Sequence, residues 1–137
     1  MKISKSRGQK LAKAAAQFIG LRFQLHGRDP RQGLDCIGLV ACSLEAVGCK
    51  PEAPSGYRLR NSNLRPWLNC AEQSGLTPIN GAIESGDIIL IKPGAGQYHL
   101  VIAENASSAI HAHAGIRKIV RQKIALGDLK FRHWRLL

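Results

Sequence analysis

The hydrophobic pattern of this chain changes character at Gly86, and that change limits the possible architectures more than any other feature. Upstream, apolar residues recur at helical spacing. Leu11, Ala15, Phe18 and Ile19 share one face of a run from about Ser6 to Ile19, with Lys10, Lys13 and Gln17 elsewhere on the wheel and Gly20 ending it. A second run, Ile37, Leu39, Val40, Leu44 and Val47, follows Asp35, a good N-cap, and stops at Gly48. A third carries Leu64, Trp67, Leu68 and Ala71, with Asn63 as its cap, Pro66 in its first turn and Gly75 as its stop. Downstream, five short apolar or alternating runs read as strands: Asp87 to Lys92, Tyr98 to Glu104, Ala109 to Ala114, Ile116 to Arg121 and Phe131 to Leu136. They are separated by Pro93 to Gly96, Asn105 to Ser108 and Gly115. Helices first and strands after predict an α+β domain, with N-terminal helices packed on a C-terminal antiparallel sheet of about five strands.

At 137 residues, the chain is expected to form one domain over 1–137. Leu21 to Leu34, with Gly27, Asp29, Pro30 and Gly33, reads as a loop, and His26 on it as a surface residue. Pro51, Pro54, Ser55 and Gly56 mark a connector that is not helical throughout. The net charge of +11 draws such a protein to polyanions such as nucleic acid, acidic membrane surfaces or bacterial wall polymers. Nucleic acid is the weaker partner, because no zinc finger, RNP-type motif or basic heptad accompanies the charge. The basic first helix has a mostly alanine apolar face, which suits packing on the domain better than lying on a lipid surface. No membrane span is expected, and the N-terminus does not read as a signal peptide, so synthesis in the cytoplasm is expected. Oligomeric state is not legible.

The four cysteines are Cys36, Cys42, Cys49 and Cys70. No C-x-x-C pair exists, so neither a structural zinc site nor a dense disulfide framework is expected, and the thiols are taken as reduced. Cys70 reads as structural. Cys36 differs, because it falls in the first turn of the second helix, where unpaired N–H groups and the positive end of the dipole favour a thiolate. A lone cysteine is more often buried and inert, so its partners must decide.

A cysteine nucleophile needs a base, and the base needs a polar group to orient it. His99 opens a predicted strand and points to the same face as Val101 and Ala103; if that face meets the helix bearing Cys36, the thiol and imidazole can form an ion pair. The next strand offers His111 and His113, which share a face. Pairing across a loop of about four residues sets 113 or 114 opposite His99, so parity does not choose between the two histidines. Zinc held by His99, His111 and His113 is the minor alternative, since no carboxylate or cysteine supports it; no metal and no cofactor is expected.

Four blocks, Asp35-Cys36-Ile37-Gly38-Leu39-Val40, Gly86-Asp87-Ile88-Ile89-Leu90, His99-Leu100-Val101-Ile102 and Ile110-His111-Ala112, resemble in order and spacing the NlpC family of cell-wall cysteine peptidases. The likeness runs from about Leu11 to Leu136 and looks greatest to small phage and gene-transfer-agent members. It implies a papain-like α+β fold and hydrolysis of peptidoglycan stem peptides, commonly next to D-glutamate and diaminopimelate, with action at the cell wall or periplasm after delivery by a phage-like tail or lysis. It implies Cys36 as nucleophile, His99 as base and His111 as the orienting residue. Asp35, Phe23, Ile37 and Tyr98 are the positions it assigns to substrate, Asp35 to the substrate's amino end. Two positions depart from the pattern: Ile37 stands where many relatives have serine, and Phe23 where many have tyrosine. A structural tail component without activity, or an amidase or acyltransferase on the same fold, are the competing expectations.

Overall fold

Ser6 caps the first helix: its hydroxyl accepts from the Gln9 N–H at 3.0 Å, and the Gln9 side chain accepts from the Ser6 N–H at 2.8 Å. This capping box satisfies two donors that a helix start otherwise leaves open. The structure, a computed structural model, describes residues 6–52, 65–94 and 97–137. The elements are helix α1 (Arg7–Ala16), strands β1 (Arg28–Asp29) and β2 (Gly33–Leu34), helices α2 (Cys36–Ala46) and α3 (Arg65–Gln73), strands β3 (Thr77–Pro78), β4 (Ile88–Gly94), β5 (Gln97–Asn105), β6 (Ser108–His113) and β7 (Lys118–Lys123), helix α4 (Leu126–Leu129) and strand β8 (Lys130–Arg135). The predicted Asn63 cap and most of the Pro51 to Gly56 connector lie outside the described residues.

The larger sheet is antiparallel, with six strands in the order β3-β8-β4-β5-β6-β7. All five predicted strands are present. The sixth, β3, has two residues, Thr77 and Pro78, paired with Arg135 and Trp134; that is too short for any alternation to show in sequence. The small β1–β2 pair folds the expected loop back on itself by setting Arg28 against Leu34. The predicted strand at Ile116 starts at Lys118 instead, because Arg117 takes a left-handed φ of 66° in the β6–β7 turn.

Both faces of the sheet are covered. Leu90, Leu100, Ile102 and Ile110 pack with Leu11 of α1 and with Leu39 and Leu44 of α2. On the other face Ile89, Ile91, Val101 and Ala103 form a second cluster, closed by Leu126 of α4. Gly86 joins α1 to the head of β4: its φ is 88°, and a Cβ there would strike the Gly8 carbonyl.

Next to it, Asp87 is completely buried and ionised. Its oxygens accept from Arg135 Nε at 2.8 Å, from Arg135 Nη2 at 2.9 Å and from the Glu84 N–H at 2.8 Å, and His133 Nε2 lies 2.6 Å away. Burial alone raises its carboxyl, yet Arg135, the Glu84 N–H and His133 together hold it below the ordinary carboxylate value. Among the described residues, no helix is long and apolar enough to cross a membrane.

Candidate active site

Asp35 sets the start of α2. Its side chain accepts from the Gly38 N–H at 2.8 Å, and its other oxygen accepts from the His26 N–H at 2.7 Å. Arg28 Nη1 adds an ion pair at 3.1 Å. The predicted cap is therefore real, and it also ties the preceding loop to the helix. Asp35 is 2% exposed with its oxygens engaged by the protein, so the carboxylate is an internal anchor in this structure. Loop and helix meet through glycines: a Cβ on Gly38 would collide with the Gly27 carbonyl oxygen.

Cys36 follows as the first residue of α2 and is partly buried. α2 meets β5 through Leu100 and Ile102, whereas Val101 and Ala103, which share the His99 parity, belong to the cluster on the far side of the sheet. Cys36 packs against the helix-side core and reaches β5 at Leu100. The β5–β6 ladder runs from Asn105↔Ser108 to Ile102↔Ile110 and stops there. The Ala103 N–H donates to the Asp87 carbonyl on the β4 side, so strand alternation turns the Leu100 N–H toward the edge that β6 has left. That N–H and the Ile37 N–H point at the Cys36 sulfur.

The two histidines, one on β5 and one on β6, bond each other directly. His99 Nε2 and His111 Nδ1 are 2.9 Å apart, with the rings edge to face at 5.1 Å. A two-residue turn and a bulge between Ala103 and Asn105, rather than a four-residue loop, set this register. His113 keeps its ring near His111, with centroids 5.6 Å apart, and its Nδ1 accepts from the Ile116 N–H at 3.1 Å. Because His99 and His111 bond each other directly and His113 is held by a turn, the three do not converge on a metal position, and no cluster of three or more potential ligands occurs among the described residues. The far nitrogen of His111 lies 2.7 Å from Gln122 Oε1 on β7. The sequence reading missed Gln122; only a correct β6–β7 register, in which Ala109 faces Gln122 and His111 faces Val120, reveals that it shares a face with His111.

The electrostatics depart from a preformed ion pair. Burial, and next the Asp35 carboxylate, push the Cys36 thiol up to about 12; the Leu100 and Ile37 N–H groups and Arg28 offset only part of this. Burial, then the His111 and His113 rings, pull His99 down to about 3. His111 is lowered as well, mainly by burial, against the raising effect of Gln122. At neutral pH the resting Cys36 thiol and His99 imidazole are uncharged, and burial biases His111 toward its neutral form.

Three other expected positions are placed as follows. Ile37 is 4% exposed and lines an apolar cavity with Val40, Leu100 and Trp134, so its side chain belongs to the core and only its N–H reaches the site. The residue after Cys36 falls on the core face of α2. Phe23 is partly buried against the core, bridged to Leu34, with its N–H on the Arg117 carbonyl at 3.0 Å. Tyr98 turns away from His99 by strand alternation and packs on Phe131 at 5.5 Å, with Lys92 over its ring.

No family model and no curated protein sequence matches the chain. Solved structures do. The NlpC/p60 domain of the peptidoglycan hydrolase SagA aligns at 21% identity and TM-score 0.65, over 95% of this chain and 99% of that one. The peptidoglycan hydrolase RipB from Mycobacterium tuberculosis aligns at 18% identity and TM-score 0.62, over 98% and 69%. An NlpC/p60 family protein from Bacillus cereus aligns at 17% identity and TM-score 0.68, over 99% of this chain but only 42% of that one. With its helices packed on a six-stranded antiparallel sheet, this chain thus has the NlpC/p60 fold.

Proposed function

We propose that this protein is a cell-wall hydrolase, a cysteine peptidase that cleaves amide bonds in peptidoglycan stem peptides. Two observations carry the reading: His99 and His111 are hydrogen-bonded to each other, and the Cys36 thiol lies against the N–H of Leu100, the residue that follows His99 on β5. Similarity to structures described as peptidoglycan hydrolases supports the substrate class. The D-glutamyl and diaminopimelate site of cleavage, and delivery by a phage-like tail, rest on the four sequence blocks.

In the reaction, the Cys36 sulfur attacks the carbonyl carbon as its proton passes to His99. Because the resting groups are neutral, this transfer accompanies attack instead of preceding it. N–H groups beside the sulfur stabilise the developing oxyanion. His99 then protonates the leaving amine, and an acyl-enzyme remains. Water gives a proton to His99, attacks the thioester and releases the acid, and the proton returns to sulfur.

Digestion of purified sacculi, with mass spectrometry of the fragments, tests this. Wild type releases stem-peptide fragments, whereas Cys36→Ala and His99→Ala release none while keeping the circular-dichroism spectrum. Fragment release by the Cys36→Ala protein overturns the reading. A second reading, a structural tail component that keeps the fold without activity, is favoured by the uncharged resting pair. It predicts an inert wild type that nevertheless binds tail proteins.

A further inference from the structure

Two neutral histidines joined by one hydrogen bond can carry their protons in two ways, and only one of them makes His99 a base toward the sulfur. The joining atoms are His99 Nε2 and His111 Nδ1, so one must donate and the other accept. The other nitrogen of His111 meets Gln122 Oε1 at 2.7 Å. An amide oxygen accepts and cannot donate, so His111 Nε2 carries a proton and its Nδ1 is left with a lone pair. His99 Nε2 must then be the donor, which leaves His99 Nδ1 bare. With the amide reversed, its NH2 donates to His111 Nε2, both protons shift by one atom, and His99 Nδ1 is already protonated.

We propose that Gln122 is a positioning residue that selects the tautomers of His111 and His99 and so keeps His99 Nδ1 available as the base. The inference rests on the cysteine-peptidase reading for its catalytic consequence, but not for the tautomers themselves. Gln122 touches neither the sulfur nor the substrate; it acts through His111. When His99 takes the sulfur proton, it donates to His111, which donates to Gln122, and every dipole in the row turns its negative end toward the new positive charge and stabilises it. The amide is suited to this because it accepts without adding charge. Gln122 is exposed on β7, the edge strand of the sheet, where side-chain substitution removes no core packing.

Three variants separate orientation from bulk. Gln122→Met keeps the length and cannot hydrogen-bond; Gln122→Lys only donates; Gln122→Glu only accepts. The first readout is the 15N shifts of the ring nitrogens. In wild type, both histidines are expected protonated at Nε2 and bare at Nδ1; in Gln122→Lys, His99 is expected protonated at Nδ1. The second readout is the pH profile of cleavage of an isolated stem peptide. Gln122→Met and Gln122→Lys should lose kcat on the order of 10²-fold, the lower range of what a general base contributes, with KM little changed. Gln122→Glu should restore most of that loss and move the acid limb upward, because a carboxylate stabilises the imidazolium. A wild-type His99 protonated at Nδ1, or tautomers and pH limbs unchanged in Gln122→Met, overturns the proposal. If wild type cleaves nothing, the peptidase reading fails, while the nitrogen shifts still decide the role of Gln122.

Discussion

Replacing Asp87 by asparagine tests whether the buried charge cluster at the head of β4 holds the sheet together. Four donors converge on the Asp87 oxygens: two from Arg135, the Glu84 N–H and His133 Nε2. An asparagine of the same shape offers one acceptor oxygen and one donor group, so at least one of these donors then faces an N–H. His133 cannot compensate freely, because its Nδ1 is buried without a hydrogen-bond partner. Breaking one side of a buried pair costs about 3–5 kcal/mol. The side chain of Arg135 is 21% exposed and can lean on Glu84, 2.6 Å away, which favours the lower end, about 3 kcal/mol. With a urea slope of about 2 kcal/mol/M, the unfolding midpoint should fall by roughly 1.5 M. Removing both partners, Asp87→Asn with Arg135→Met, should cost less than the sum of the single changes, since no charge is then left stranded. The carboxyl of Asp87 is depressed on folding, so its contribution is present above the unfolded value of about 3.9 and is lost as pH falls through the folded value. The difference between wild type and Asp87→Asn should therefore narrow below about pH 4. A midpoint shift under about 0.5 M, or strictly additive double-variant energies, refutes the reasoning.

Gly38→Ala should cost about 1–3 kcal/mol in thermal unfolding, since its Cβ meets the Gly27 carbonyl and must push the loop off α2; an unchanged melting temperature contradicts the close approach. A thiol held at about 12 should be alkylated by iodoacetamide at pH 7 on the order of 10³-fold more slowly than an ordinary cysteine, and a Cys36 rate equal to that of a free thiol contradicts the neutral resting state. Glu104→Gln breaks a two-bond pair to Arg121, at 2.7 and 2.8 Å, yet should cost under about 1 kcal/mol because Arg121 is exposed; a loss above about 2 kcal/mol in urea unfolding would sink that estimate.

The helices and five of the six large-sheet strands were legible because each buries one face against a continuous core, and burial imposes a period on the sequence. β3 and α4 were not, since elements of two and four residues are too short to express one. The meeting of His99 with His111, rather than with His113 opposite in the simple register, depends on where β6 parts from β5. Nothing in strand parity encodes that departure. Asp87 was visible as part of a block, but its partners Arg135 and His133 stand 48 and 46 positions away on β8, beyond any local pattern.

The protonation of Cys36 is the point at which sequence reasoning and structure part most instructively. A first-turn position predicts a stabilised thiolate, from a helix end worth about half a positive charge. The same turn, however, is capped by a carboxylate, and Asp35 brings a full negative charge to the residue next to the sulfur while occupying the Gly38 N–H. The cap that makes the helix start well defined therefore works against the anion that the helix end would favour, and burial adds to it. Arg28, paired with Asp35, cancels only part of this field. For the proposed reaction, thiolate must then be made in the step that consumes it, with the proton moving onto His99 as substrate excludes water. That places the catalytic demand on the readiness of His99 to accept a proton, and so on the row of hydrogen bonds behind it, more than on the helix that carries the cysteine.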